Sequence, residues 1–70
     1  MDIRKQVGIN VRRLWEGRDL SQEELAFEAE LHRTYISQVE RGVRNPTVTV
    51  VAKIAKALGV TPDLLLRANR

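Results

Sequence analysis

Arg33, Thr34, Ser37 and Gln38 recur at spacings that bring all four to one side of a helix. Each matches a hydrogen-bonding edge that a base pair presents in the major groove of DNA. A guanidinium forks onto guanine, and a glutamine amide pairs with adenine. A threonine touches the thymine methyl while its hydroxyl donates or accepts, and a serine hydroxyl bonds to either kind of group. A helix that carries such groups near its N-terminal end can read bases when it lies in the groove. The plain alternative is an ordinary solvated helix face.

Those side chains need a frame, and the apolar pattern predicts an all-α one of five helices. Ile3, Val7, Val11 and Leu14 form the stripe of a first helix that turns Asn10, Arg12 and Arg13 away from it and ends near residues 17–19. Ser21 followed three residues later by Glu24 is a capping box, which satisfies two free backbone donors and starts a second helix with Leu25, Ala26 and Ala29 inward. The third runs over residues 33–41, with Ile36 and Val39 buried, and Gly42 offers the left-handed residue that closes it. Asn45-Pro46 breaks the chain. Val48, Val51, Ile54, Ala55 and Leu58 make a fourth stripe closed by Gly59, and Thr61-Pro62 opens a fifth helix with a hydroxyl cap and a first-turn proline. The β-branched run at residues 47–51 makes a strand the local competitor, but the stripe that continues to Leu58 favours helix.

Seventy residues predict a single domain over residues 1–70, with little room for a deep active-site cleft. Without cysteine there is neither a disulfide framework nor a thiolate metal site, and with one histidine no metal or other cofactor is expected. No apolar run approaches the roughly 20 residues of a membrane span, and the N-terminus lacks the plan of a signal peptide, so a cytoplasmic protein is expected. The net charge of +3 comes with nine arginines against three lysines, a bias towards groups that fork onto phosphate or guanine. Charge is unevenly placed: residues 19–30 hold Asp19, Glu23, Glu24, Glu28 and Glu30 without a base, while the flanking segments are basic. Phosphate attraction should therefore come from particular faces. No nucleophile elbow, glycine-rich phosphate cradle or ligand cluster is present, so an enzyme is not expected.

Three runs carry a resemblance: Leu20 through Ala26, Arg33 through Gly42, and Ile54 through Val60, with Asn45-Pro46 between the last two. Residues 6–60 resemble the helix-turn-helix family of the phage lambda repressor and Cro, found throughout bacterial transcriptional regulators. The resemblance implies a compact bundle in which the third helix lies in the major groove and the second crosses above it, with the helix-turn-helix at residues 21–41. It implies a homodimer on a near-palindromic operator, its two third helices about 34 Å apart. Such a dimer would act by occluding promoter elements or contacting RNA polymerase. Arg33, Thr34 and Gln38 occupy the base-reading positions, with Ser37 between them, and Gln22 the phosphate-holding position, where a helix N-terminus also suits an anion. Tyr35, Arg41, Arg44 and Asn45 are the other phosphate candidates, because the loop after a recognition helix lies along the sugar-phosphate chain. For Tyr35 the competing reading is a partly buried ring in the corner of the motif. Restriction-modification controller proteins are similar in size and in the Arg-Thr-Tyr-Ile-Ser run.

The chain departs from the family pattern at four positions. Trp15 stands where an arginine pairs with the acid at Glu40, so Glu40 needs another partner or a solvated position. Asp19 and Glu30 replace turn glycines, which predicts a reshaped turn, more so at Glu30. His32 replaces a small capping residue, as an irregular turn residue or a pH-dependent contact. Leu64, Leu65 and Leu66 exceed what one buried face can use, which nominates Leu65 or Leu66, with Val60, for a dimer seam. The second functional reading is a protein-interaction module or antitoxin that uses the acidic second helix.

Overall fold

A computed structural model describes residues 2–68. Five helices follow one another: α1 (Ile3–Glu16), α2 (Gln22–Glu28), α3 (Arg33–Glu40), α4 (Val48–Leu58) and α5 (Pro62–Leu66). The β-branched run at residues 47–51 opens α4, so the strand alternative falls. Local chemistry sets most of the starts. Asp2 accepts from the Arg4 amide, Thr47 accepts from the Val50 amide, and Ser21 and Glu24 form both halves of the capping box. Thr61 occupies the N-cap of α5 but makes no capping bond, contrary to expectation. The Asp63 carboxyl is held below its ordinary value, first by the Thr61 side chain and also by Arg67, which donates to it at 3.2 Å. Asp2 is likewise lowered, first by its hydrogen bond from the Arg4 side chain.

The ends of α1 to α4 share one geometry. Asp19, Glu30, Gly42 and Gly59 all have left-handed φ, at 55°, 58°, 73° and 73°. After each, the next amide reaches back into the preceding helix: Leu20 N to Trp15 O, Leu31 N to Ala26 O, Val43 N to Gln38 O and Val60 N to Ala55 O, at 2.9–3.1 Å. These are Schellman closures, which satisfy carbonyls that the helix leaves free. The turn at Glu30 is therefore not reshaped: the glutamate takes the glycine's conformation, at a steric cost of about 1–2 kcal/mol.

Val7, Val11, Leu25, Ala26, Ala29, Ile36, Val39, Val51, Ile54, Ala55, Leu58 and Leu65 form one core. α1 packs on α3 and α5, α2 on α3 and α4, and α4 on α5. Three residues differ from the periodic reading. Ile3 is exposed and Val48 is 87% exposed, each in the first turn of its helix, where the stripe extends past the elements available to cover it. Asn10, read as facing away, is 6% exposed. Its Nδ2 donates to Leu65 O and Arg67 O, both at 2.8 Å, and its Oδ1 accepts from Gln6 Nε2 at 3.3 Å. A helix of five residues leaves its terminal carbonyls without helical partners, and Asn10 supplies them from α1. No helix among the described residues is long and apolar enough to cross a membrane.

Candidate nucleic-acid interface

α2 and α3 are held at a fixed angle by Leu25, Ala26, Ala29, Ile36 and Val39, all buried in the common core, and by the closure at Glu30 and Leu31. His32 is the N-cap of α3, exposed and without a capping bond from its side chain. This packing brings the start of α2 beside the outer face of α3. Gln22, Arg33, Thr34, Ser37 and Arg41 line one shallow polar depression. Three base-contacting candidates and two phosphate candidates thus meet in one place.

A hydrogen-bonded line crosses this surface. Trp15 Nε1 donates to Glu40 Oε2 at 2.6 Å, and Gln22 Nε2 donates to Glu40 Oε1 at 3.2 Å. Arg33 Nε then donates to Gln22 Oε1 at 3.2 Å, while Arg33 Nη1 pairs with Glu23 Oε1 at 3.1 Å. Glu40 therefore has another partner: the indole N–H donates where the family pattern has an arginine. Both groups are partly buried, and a bond to a carboxylate there is stronger than a neutral one. The Arg33–Glu23 pair is exposed on both sides, so releasing it to reach a base costs no more than about 1 kcal/mol.

Trp15→Phe keeps a ring in the half-buried site and removes the donor. It is expected to lower stability by about 1–3 kcal/mol, because the Glu40 carboxylate then keeps only its bond from Gln22. Urea unfolding followed by circular dichroism checks this, and an unchanged midpoint would remove the indole–carboxylate bond from the account of the fold.

Gln38 lies on α3 outside this line, with a different set of neighbours. Arg44 Nε donates to Gln38 Oε1 at 2.7 Å, and Arg44 Cζ sits 4.5 Å from the centroid of the Tyr35 ring. Tyr35 is half-buried against the core, so the corner-filling reading and a place on the polar face both apply to it. Asn45 is exposed in the loop that follows. Sequence reasoning did not anticipate Trp15, Glu23 or the Gln22–Glu40 contact as parts of this surface. The available signal was Trp15 itself, since an indole N–H in a half-buried position requires an acceptor. Leu65, offered for a dimer seam, is 0% exposed and belongs to the core, whereas Leu66 is 47% exposed. Val60 is partly buried against the core.

A polar, arginine-bearing helix face presented on a rigid two-helix corner is the site of a DNA-binding helix-turn-helix protein, and a helix-turn-helix family model matches residues 11–65. The chain belongs to that family of sequence-specific DNA-binding transcriptional regulators and, within it, to the controller proteins. It is 52% identical to control protein C.BamHI of Bacillus amyloliquefaciens over 66 residues, which span 93% of this chain and 82% of that protein. Its structure is similar to that of the restriction-modification controller protein C.AhdI from Aeromonas hydrophila, with a TM-score of 0.86 and 40% identity over 89% of this chain and 94% of that one. It is also similar to the C.Esp1396I controller, solved as a tetramer in complex with its natural 35 base-pair operator, with a TM-score of 0.84 and 31% identity over 93% of this chain and 86% of that one. The family regulates transcription and is not catalytic.

Proposed function

We propose that this chain binds a near-palindromic operator as a homodimer and controls transcription of a restriction-modification system. The observation that carries the DNA-reading role is the single depression formed by Gln22, Arg33, Thr34, Ser37 and Arg41. Arg33, Thr34, Ser37 and Gln38 read bases from α3, while Gln22, Tyr35, Arg41, Arg44 and Asn45 hold the sugar-phosphate backbone on either side. Assembly on an operator is supported by the tetrameric C.Esp1396I complex, and the half-exposed Leu66, with Val60 beside the core, supplies apolar surface for a second copy.

Arg33→Ala is expected to cost about 1–3 kcal/mol on the preferred sequence and to relax preference at one base pair, whereas Gln22→Ala weakens all sequences alike. Binding titrations on a selected operator and on single-base variants separate the two. Uniform loss from both substitutions would remove the direct-readout assignment, and a monomer at high micromolar concentration with and without DNA would remove the dimer.

One observation favours a protein contact in addition. Phe27 is 81% exposed on α2 and shares a shallow depression with Leu20, Glu23, Glu24 and Glu28. An acidic rim around an apolar side chain is a docking surface for a basic partner, and RNA polymerase is the partner a regulator bound beside a promoter meets.

A further inference from the structure

Gln38 comes to the DNA face with its amide already oriented. A guanidinium has donors and no acceptor, so the Gln38 atom that meets Arg44 Nε at 2.7 Å is the carbonyl oxygen. Arg44 is in turn braced by Tyr35, whose ring centroid is 4.5 Å from Cζ, within cation–π range. The backbone sets up this meeting. At Gly42, with φ 73°, the chain reverses, and the Val43 amide donates back to the carbonyl of Gln38 itself at 3.1 Å. A side chain at Gly42 would approach Lys5 Cγ to 2.7 Å, so the turn is pressed against α1 as well as closed on α3. Arg44 therefore reaches Gln38 from a turn anchored on both sides.

An amide selects adenine by using both ends: Oε1 accepts from N6 while Nε2 donates to N7. With one lone pair of Oε1 engaged by a cation, the second is a weaker acceptor, and the two N–H bonds of Nε2 become the stronger offer of Gln38. The adjacent positive charge also disfavours a base amino group and favours a base carbonyl. We infer that Arg44 is a positioning residue for specificity, which weakens the acceptor end of the Gln38 amide and directs its Nε2 to the acceptors of guanine, N7 and O6, instead of adenine. The inference rests on the reading of α3 as the base-contacting helix.

Competition binding over single-base variants of a selected operator tests it. The base pair read by Gln38 is the one whose preference disappears in Gln38→Ala. At that pair the wild type is expected to prefer guanine over adenine on the order of tenfold. Gln38→Lys, which can only donate, keeps the guanine preference. Arg44→Ala brings adenine level with guanine or above it at that pair alone, and Arg44→Lys restores the original order. Preference for adenine in the wild type would overturn the inference, as would an Arg44→Ala variant that weakens every sequence by one factor with the guanine preference intact. A wild type that discriminates no base at any position would instead overturn the reading of α3, a result distinguishable from either.

Discussion

Leu65→Ala is expected to destabilise the protein by about 2–5 kcal/mol, the cost of lost burial plus the cavity left behind. Leu65 is 0% exposed and lies in α5, which has five residues and cannot hold itself together without its contacts to α1 and α4. At roughly 0.05–0.15 kcal/mol per residue, a 70-residue chain has about 4–10 kcal/mol in total, so this one truncation removes a large share of it. The control is its neighbour. Leu66→Ala, at a half-exposed position, should leave monomer stability within about 0.5 kcal/mol and instead move self-association to higher protein concentration. Urea unfolding at fixed concentration, paired with sedimentation, reads both effects. A wild-type midpoint for Leu65→Ala would show that α5 is not docked as described.

Gly8→Ala should also destabilise, against the usual sign of such a change inside a helix. Replacing glycine by alanine in a helix interior gains about 1 kcal/mol from backbone entropy. Here a Cβ at residue 8 would lie 2.5 Å from Val39 O, 2.6 Å from Glu40 O and 2.9 Å from Glu40 C. All three are backbone atoms at the end of α3, so no side chain can rotate aside, and α1 and α3 must separate. Overpacking costs typically 1–3 kcal/mol, and three contacts this short place Gly8 at the upper end or beyond. The net expectation is a loss of about 2 kcal/mol, read as a fall in Tm of roughly 8–16 °C. DNA binding should weaken as well, because the displaced element is the recognition helix. A Tm equal to or above the wild type would mean that α1 and α3 do not approach this closely.

The helices were legible because their signals are local. Ser21 with Glu24 and the glycines at 42 and 59 act within one turn of the chain, where a few backbone groups decide the outcome. The grouping of the candidate base readers was legible for a related reason. Arg33, Thr34, Ser37 and Gln38 share one side of α3 by helical geometry alone, and the resemblance told which side matters. Periodicity says which face of a helix is apolar but not what covers it. Ile3 and Val48 continue their stripes and remain exposed, and Leu65 and Leu66 look alike in sequence yet one is core and the other is surface.

By itself, then, the sequence determined that this chain makes five helices, that a short turn separates the second from the third, and which side chains α3 turns outward. These follow from propensity, capping and a period of 3.6 residues, all of which act over a few neighbours. The tertiary structure alone decided that Asn10 holds the carbonyls of Leu65 and Arg67, that Gly8 admits the backbone of α3, that Trp15 and Gln22 share the Glu40 carboxylate, and that Arg44 engages the amide of Gln38. The first three pair atoms from separate helices. The last depends on a turn pressed against α1, so none of the four is set by local rules until the core has fixed how the helices lie.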